Sequence, residues 1–120
     1  MENENIIKTA LTALDSKKAL DLTLIRVDDL TVVTEYFIIA SATSSTHVRA
    51  LADEVEDALT KAGIEPKSVE GKATGWILLD YGSVIIHTFT KDTREFYNLE
   101  RIWNDGEKID VEKYINKEMM

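Results

Sequence analysis

A chain of 120 residues that is 44% hydrophobic and 30% charged has enough material for one domain with a real core and too little for two. Its formal net charge of −8 disfavours tight unaided binding of nucleic acid, which is held mainly through Lys and Arg on phosphates, and suits a basic partner instead. Cysteine is absent, so disulfides, thiolate metal sites and thiol nucleophiles are excluded, and a metal would need His47, His87 and carboxylates. The segment Met1-Glu2-Asn3-Glu4-Asn5 lacks the basic and apolar regions of a secretion signal, and no run of about 18 apolar residues exists to span a bilayer. The expectation is a cytoplasmic protein without membrane contact.

Residues 2 to about 16 carry Ile7, Ala10, Leu11 and Leu14 at one-face helical spacing. The stretch from Leu20 to Val27 alternates, placing Leu20, Leu22 and Leu24 together on a strand that ends at Asp28-Asp29. Residues 28–35 fit a loop or a short hairpin. Tyr36 to Ser41 is almost continuously apolar, as expected of a central strand covered on both faces. The hydroxyls of residues 41–45 then suit the cap of a helix whose stripe is Val48, Leu51, Ala52, Val55, Leu59 and Ala62. Asp57 and Lys61 stand four apart on it, as do Arg49 and Asp53. Gly63 suits the position just past its end, and Pro66 prevents resumption. A brief strand near residues 67–70 and a loop with two glycines, Gly71 and Gly75, follow.

From Trp76 to Phe89 the chain reads as a hairpin with Tyr81-Gly82 as its two-residue turn. Period-two alternation separates an aliphatic face, Ile77, Leu79, Val84 and Ile86 with Thr88, from a mixed face of Trp76, Leu78, Asp80, Ser83, Ile85, His87 and Phe89. The aliphatic face is expected to be core and the mixed face an interface, because Trp, Tyr and His are enriched where a surface meets a partner. Residues 91–103 fit a short helix or irregular turn capped by Asp92 or Thr93, with apolar positions at 96, 99, 102 and 103. Arg94, Tyr97, Glu100 and Arg101 are placed to supply a charged and polar rim. Residues 1–106 are expected to form one domain, followed by a tail over 107–120 that is weakly helical or disordered. The order α-β-β-α-β-β-β-α implies an α/β fold: a mixed β-sheet with helices packed on it.

Catalytic signatures are sparse. The serines and threonine of residues 41–45 suit an anion less than a helix cap, because no glycine allows close backbone approach. Asp28-Asp29 and the acidic pairs of residues 53–57 point apart on their elements, so they do not converge on a hard cation unaided. His87 has no serine or aspartate at triad spacing.

Several blocks resemble the ribosomal silencing factor (Iojap-like) family: residues 35–41, Val69-Glu70-Gly71, residues 76–82 and 84–89, Thr93-Arg94-Glu95-Phe96-Tyr97, and Leu99-Glu100-Arg101-Ile102-Trp103. Glu35, Ala42 and Ser83 are the departures from its usual Asp, Gly and Asp. The resemblance implies a domain similar to the nucleotidyltransferase fold, usually a homodimer, with no catalytic residue, cofactor or metal. It further implies a translational repressor that binds the large ribosomal subunit through ribosomal protein L fourteen and sterically blocks joining of the small subunit. On the matched blocks, Trp76, Leu78, His87 and Phe89 are the expected anchors, and Asp80, Tyr81, Arg94, Tyr97 and Glu100 the expected polar contacts. A nucleotidyltransferase-like enzyme using Mg, or a generic dimerisation adaptor, is the alternative.

Overall fold

The computed structural model describes residues 2–28, 34–71, 75–98, 101 and 106–115. Its elements run α1 (Glu2–Ser16), β1 (Leu20–Arg26), β2 (Tyr36–Ala42), α2 (Ser45–Lys61), β3 (Ser68–Glu70), β4 (Trp76–Asp80), β5 (Val84–Thr90), α3 (Lys91–Tyr97) and β6 (Glu107–Ile109), then a 3-10 turn at Val111–Lys113. The strands form one mixed sheet in the order β3-β4-β5-β2-β1-β6. The two most buried strands, β2 and β5, lie at its centre in parallel register from Tyr36 opposite Val84 to Ala42 opposite Thr90. The other pairings are antiparallel. For β2 the central placement follows from composition, since a strand covered on both faces favours a nearly continuous apolar run.

Two separate cores flank this sheet. On one side Ile7, Leu11 and Leu14 of α1 and Leu51, Val55 and Leu59 of α2 close over a floor that includes Leu24, Ile38, Ile77, Leu79 and Ile86. Each such side chain fully removed from water stabilises the fold by about 2 kcal/mol before chain entropy is charged against it. On the other side Ile25, Val27, Phe37, Ile39 and Phe89 form a smaller core with Trp76 and Ile85 half-buried against it.

Local chemistry explains the helix limits. Ser44 Oγ accepts from the His47 backbone N–H at 3.1 Å and starts α2. At the other end Gly63 takes φ 86, and its N–H and that of Ile64 bond back to Thr60 and Leu59, which satisfies carbonyls that the helix leaves open. The expected Asp57–Lys61 ion pair forms at 3.1 Å on the exposed face. Helix α3 begins one turn earlier than expected, capped by Thr90, whose Oγ1 accepts from the Thr93 N–H.

Three expectations need correction. Asp21 takes φ 47 and breaks the β1–β2 register between Leu20 and Thr23, so Leu22 and Leu24 pack on the helix side while Leu20 is 43% exposed. The hairpin turn is one residue later than Tyr81-Gly82: the Tyr81 N–H bonds to Val84 O at 2.9 Å, leaving Gly82 and Ser83 at the tip, with Gly82 at φ 86. Moving a turn by one residue changes cross-strand sums by two, so both faces keep their strand members and only Ser83 leaves the mixed face for the tip. The one gain is Tyr81, which joins the helix-side core. Finally, the tail does not begin as helix or disorder: residues 107–109 pair antiparallel with Leu24, Ile25 and Arg26, and Ile115 is buried in the helix-side core. Residues 29–33, part of the connection read as loop or hairpin, lie outside the described residues.

Candidate functional site

The face of the sheet opposite α1 and α2 is built in rows set by strand register. One row is Asp80, Ile85, Phe37 and Ile25, the next is Leu78, His87, Ile39 and Thr23, and the third joins Trp76, Phe89 and Ser41. Strand alternation therefore brings the only cluster of mixed aromatic and imidazole rings among the described residues onto one surface. His87 lies in the middle: Phe37 meets it edge-on at 5.2 Å between centroids, Phe89 stacks at 6.0 Å, and Trp76 tilts over it at 5.9 Å. The Trp76 Nε1–H donates to His87 Nδ1 at 3.1 Å. Burial pushes the imidazole down to about 4, since a charged ring would lose its hydration here.

Depth sorts the expected contacts. Trp76 and Leu78 are half-buried at the margin of this face, together with Ile85, and can be touched from outside. Phe89 is fully buried and His87 nearly so, so they form the floor beneath the anchors. Asp80 spends Oδ1 on the Gly82 N–H at 2.8 Å, an Asx-type bond that holds the turn. Tyr81 points the opposite way, into the helix-side core, where burial and then the charges of Glu56 and Glu65 push its phenol up to about 12. Tyr97 closes α3, and Glu100 lies outside the described residues.

Arg94 is a strut. Its Nη1 donates to Asp21 O at 2.8 Å and to Ser41 Oγ at 2.7 Å, and its Nη2 donates to Thr23 Oγ1 at 3.0 Å. It thereby fastens α3 to the bulge of β1 and the end of β2, on the face that Ser41 shares with Ile39 and Phe37. A cleft beside it is lined by Asp21, Thr23, Ser41, Lys91, Arg94 and Glu95, charges of both signs. The hydroxyls considered for a phosphate are in structural use, Ser41 with Arg94 and Ser44 as the α2 cap. Among the described residues no three His, Asp or Glu side chains converge as metal ligands.

Two features escaped the sequence reading. Phe96, grouped there with the apolar positions of a helix, is 81% exposed on α3. The Arg94 strut has no local signal, because its partners lie 53 to 73 residues away.

A family model described as "Ribosomal silencing factor during starvation" matches residues 1–119. The chain belongs to the ribosomal silencing factor family. A relative from Bacillus subtilis named "Ribosomal silencing factor RsfS" is 36% identical over 98% of this chain and 100% of its own length. A more distant relative of this family member, the chloroplastic protein Iojap of Zea mays, is 33% identical over 78% of this chain and 41% of its own. A crystal structure of a Chromobacterium violaceum protein superposes with a TM-score of 0.84 at 32% identity, covering 92% of each chain. Both the expected family and the mixed α/β class are thereby shown.

Proposed function

We propose that this protein represses translation by binding the large ribosomal subunit through ribosomal protein L fourteen and sterically blocking the small subunit. The observation that carries the docking surface is the half-buried margin of Trp76, Leu78 and Ile85 on the face not covered by α1 and α2. Apolar groups with a buried floor beneath them have the anatomy of a hot spot, where aromatic anchors dominate affinity. The relatives' names supply the ribosomal context, and a net charge of −8 favours encounter with a basic ribosomal protein. Occlusion needs bulk and a fixed pose, and no bond is made or broken. The protein acts in the cytoplasm as a homodimer and needs no cofactor.

Co-sedimentation through a sucrose gradient tests the reading. The chain is expected in the large-subunit fraction, to shift after Trp76→Ala, and to be displaced from its effect when excess L fourteen competes in a subunit-joining assay. Equal distribution across fractions, or binding to the small subunit, overturns it.

A further inference from the structure

Trp76 and His87 are diagonal neighbours: Trp76 stands opposite Phe89, and His87 opposite Leu78. The indole reaches across that diagonal to donate its Nε1–H to His87 Nδ1 at 3.1 Å. A neutral imidazole that accepts at Nδ1 carries its own proton on Nε2. That Nε2 is buried and has no hydrogen-bond partner. An unpaired buried donor destabilises a fold, and a phenyl ring in the same place, between Phe37 and Phe89, would escape that penalty. As a packing residue, then, His87 is a poor choice. Its advantage is the acceptor it offers to Trp76.

That acceptor acts on the exposed side of the surface. Ring contacts with Phe89 at 5.3 Å and His87 at 5.9 Å set the plane of the Trp76 indole. The two edges of an indole differ, one carrying the N–H and the other only carbon, so the hydrogen bond selects which edge turns inward and which faces a partner. We infer that His87 is a positioning residue for docking: it fixes the edge of Trp76 presented to the ribosomal partner, at a cost to the stability of the fold. The inference rests on the docking reading above and adds a specificity device to it.

The test uses the full chain, purified large ribosomal subunits as the probe, and two substitutions. His87→Phe keeps a ring and removes the acceptor, whereas His87→Asn removes the ring and keeps a carbonyl near the Nδ1 position. In a ¹⁵N-labelled sample the Trp76 indole N–H resonance, assigned by its loss in Trp76→Phe, reports the bond directly. His87→Phe is expected to move that resonance upfield, to melt at or above the wild-type temperature, and to bind large subunits about fivefold more weakly, the equivalent of one ordinary hydrogen bond. His87→Asn is expected to restore the resonance and to bind within about twofold of wild type, and it carries the test alone if His87→Phe does not fold. An unmoved resonance in His87→Phe, or a moved resonance with full affinity, overturns the inference. Failure of the wild-type chain to bind large subunits overturns the docking reading instead, and the resonance still reports whether His87 holds the indole.

Discussion

The two faces of the sheet solve different problems with the same strands. Under α1 and α2 the side chains are almost all aliphatic, and Ile38, Leu79 and Ile86 are shut away from water completely. On the opposite face the same strands contribute Phe37, His87, Phe89 and Trp76, a histidine donor goes unpaired, and part of the margin stays accessible. A face chosen only for cohesion tends toward the first composition. The second accepts weaker cohesion and offers ring edges, a hydrogen-bond handle and reachable apolar surface, which is what recognition uses.

Substitutions should separate the two faces. Leu79→Ala, in the helix-side core, is expected to lower stability by about 3 kcal/mol in urea unfolding while the folded fraction keeps its affinity for large subunits. Acid should act on the other face. Because His87 sits at about 4 in the folded chain against 6.5 ordinarily, the unfolded chain binds an extra proton between those values. Stability from this group is therefore complete above pH 6.5 and falls by roughly 3 kcal/mol as the pH drops to 4. Subtracting the urea midpoints of His87→Phe from wild type across that range isolates this component, and parallel curves would show the histidine to be irrelevant. Trp76→Ala is expected to differ from Leu79→Ala in binding, with roughly 2 kcal/mol lost from the folded chain's affinity for large subunits by calorimetry, alongside the stability lost with its contacts to Phe89 and His87. Smallest is Tyr81→Phe. Its hydroxyl is buried without a partner, so removal should leave stability unchanged or raise it by up to about 1 kcal/mol, and should leave binding untouched because Tyr81 faces the helices.

Much of this arrangement is legible in the residues themselves. Period-two alternation from Trp76 to Phe89 separates the faces correctly even though the turn falls at Gly82-Ser83, since the misplacement amounts to two steps of pairing. Helix α2 is readable because stripe, cap and Gly63 agree. Tyr81 reads as turn in the sequence but is the last residue before the tip, bonded to Val84, and that single step decides which side it faces. The bulge at Asp21, the Arg94 strut and the pairing of residues 107–109 with β1 depend on partners distant in the chain, for which neither propensity nor periodicity carries a signal. Depth is equally hidden: alternation places Phe89 and Trp76 on the same face and does not separate floor from margin.

The parallel pairing of β2 with β5 also sets an order of assembly. Residues 43–83 must be looped out before Tyr36 can meet Val84, so the centre of the sheet is a late, entropically expensive contact. The β4–β5 hairpin, closed by its tight turn, can form within microseconds and already aligns Trp76 beside His87. Phe37 and Ile39 arrive only when β2 docks, which makes the edge-on packing of Phe37 against His87 one of the final parts of the aromatic surface to be completed and one of the first to be lost when the central pair separates.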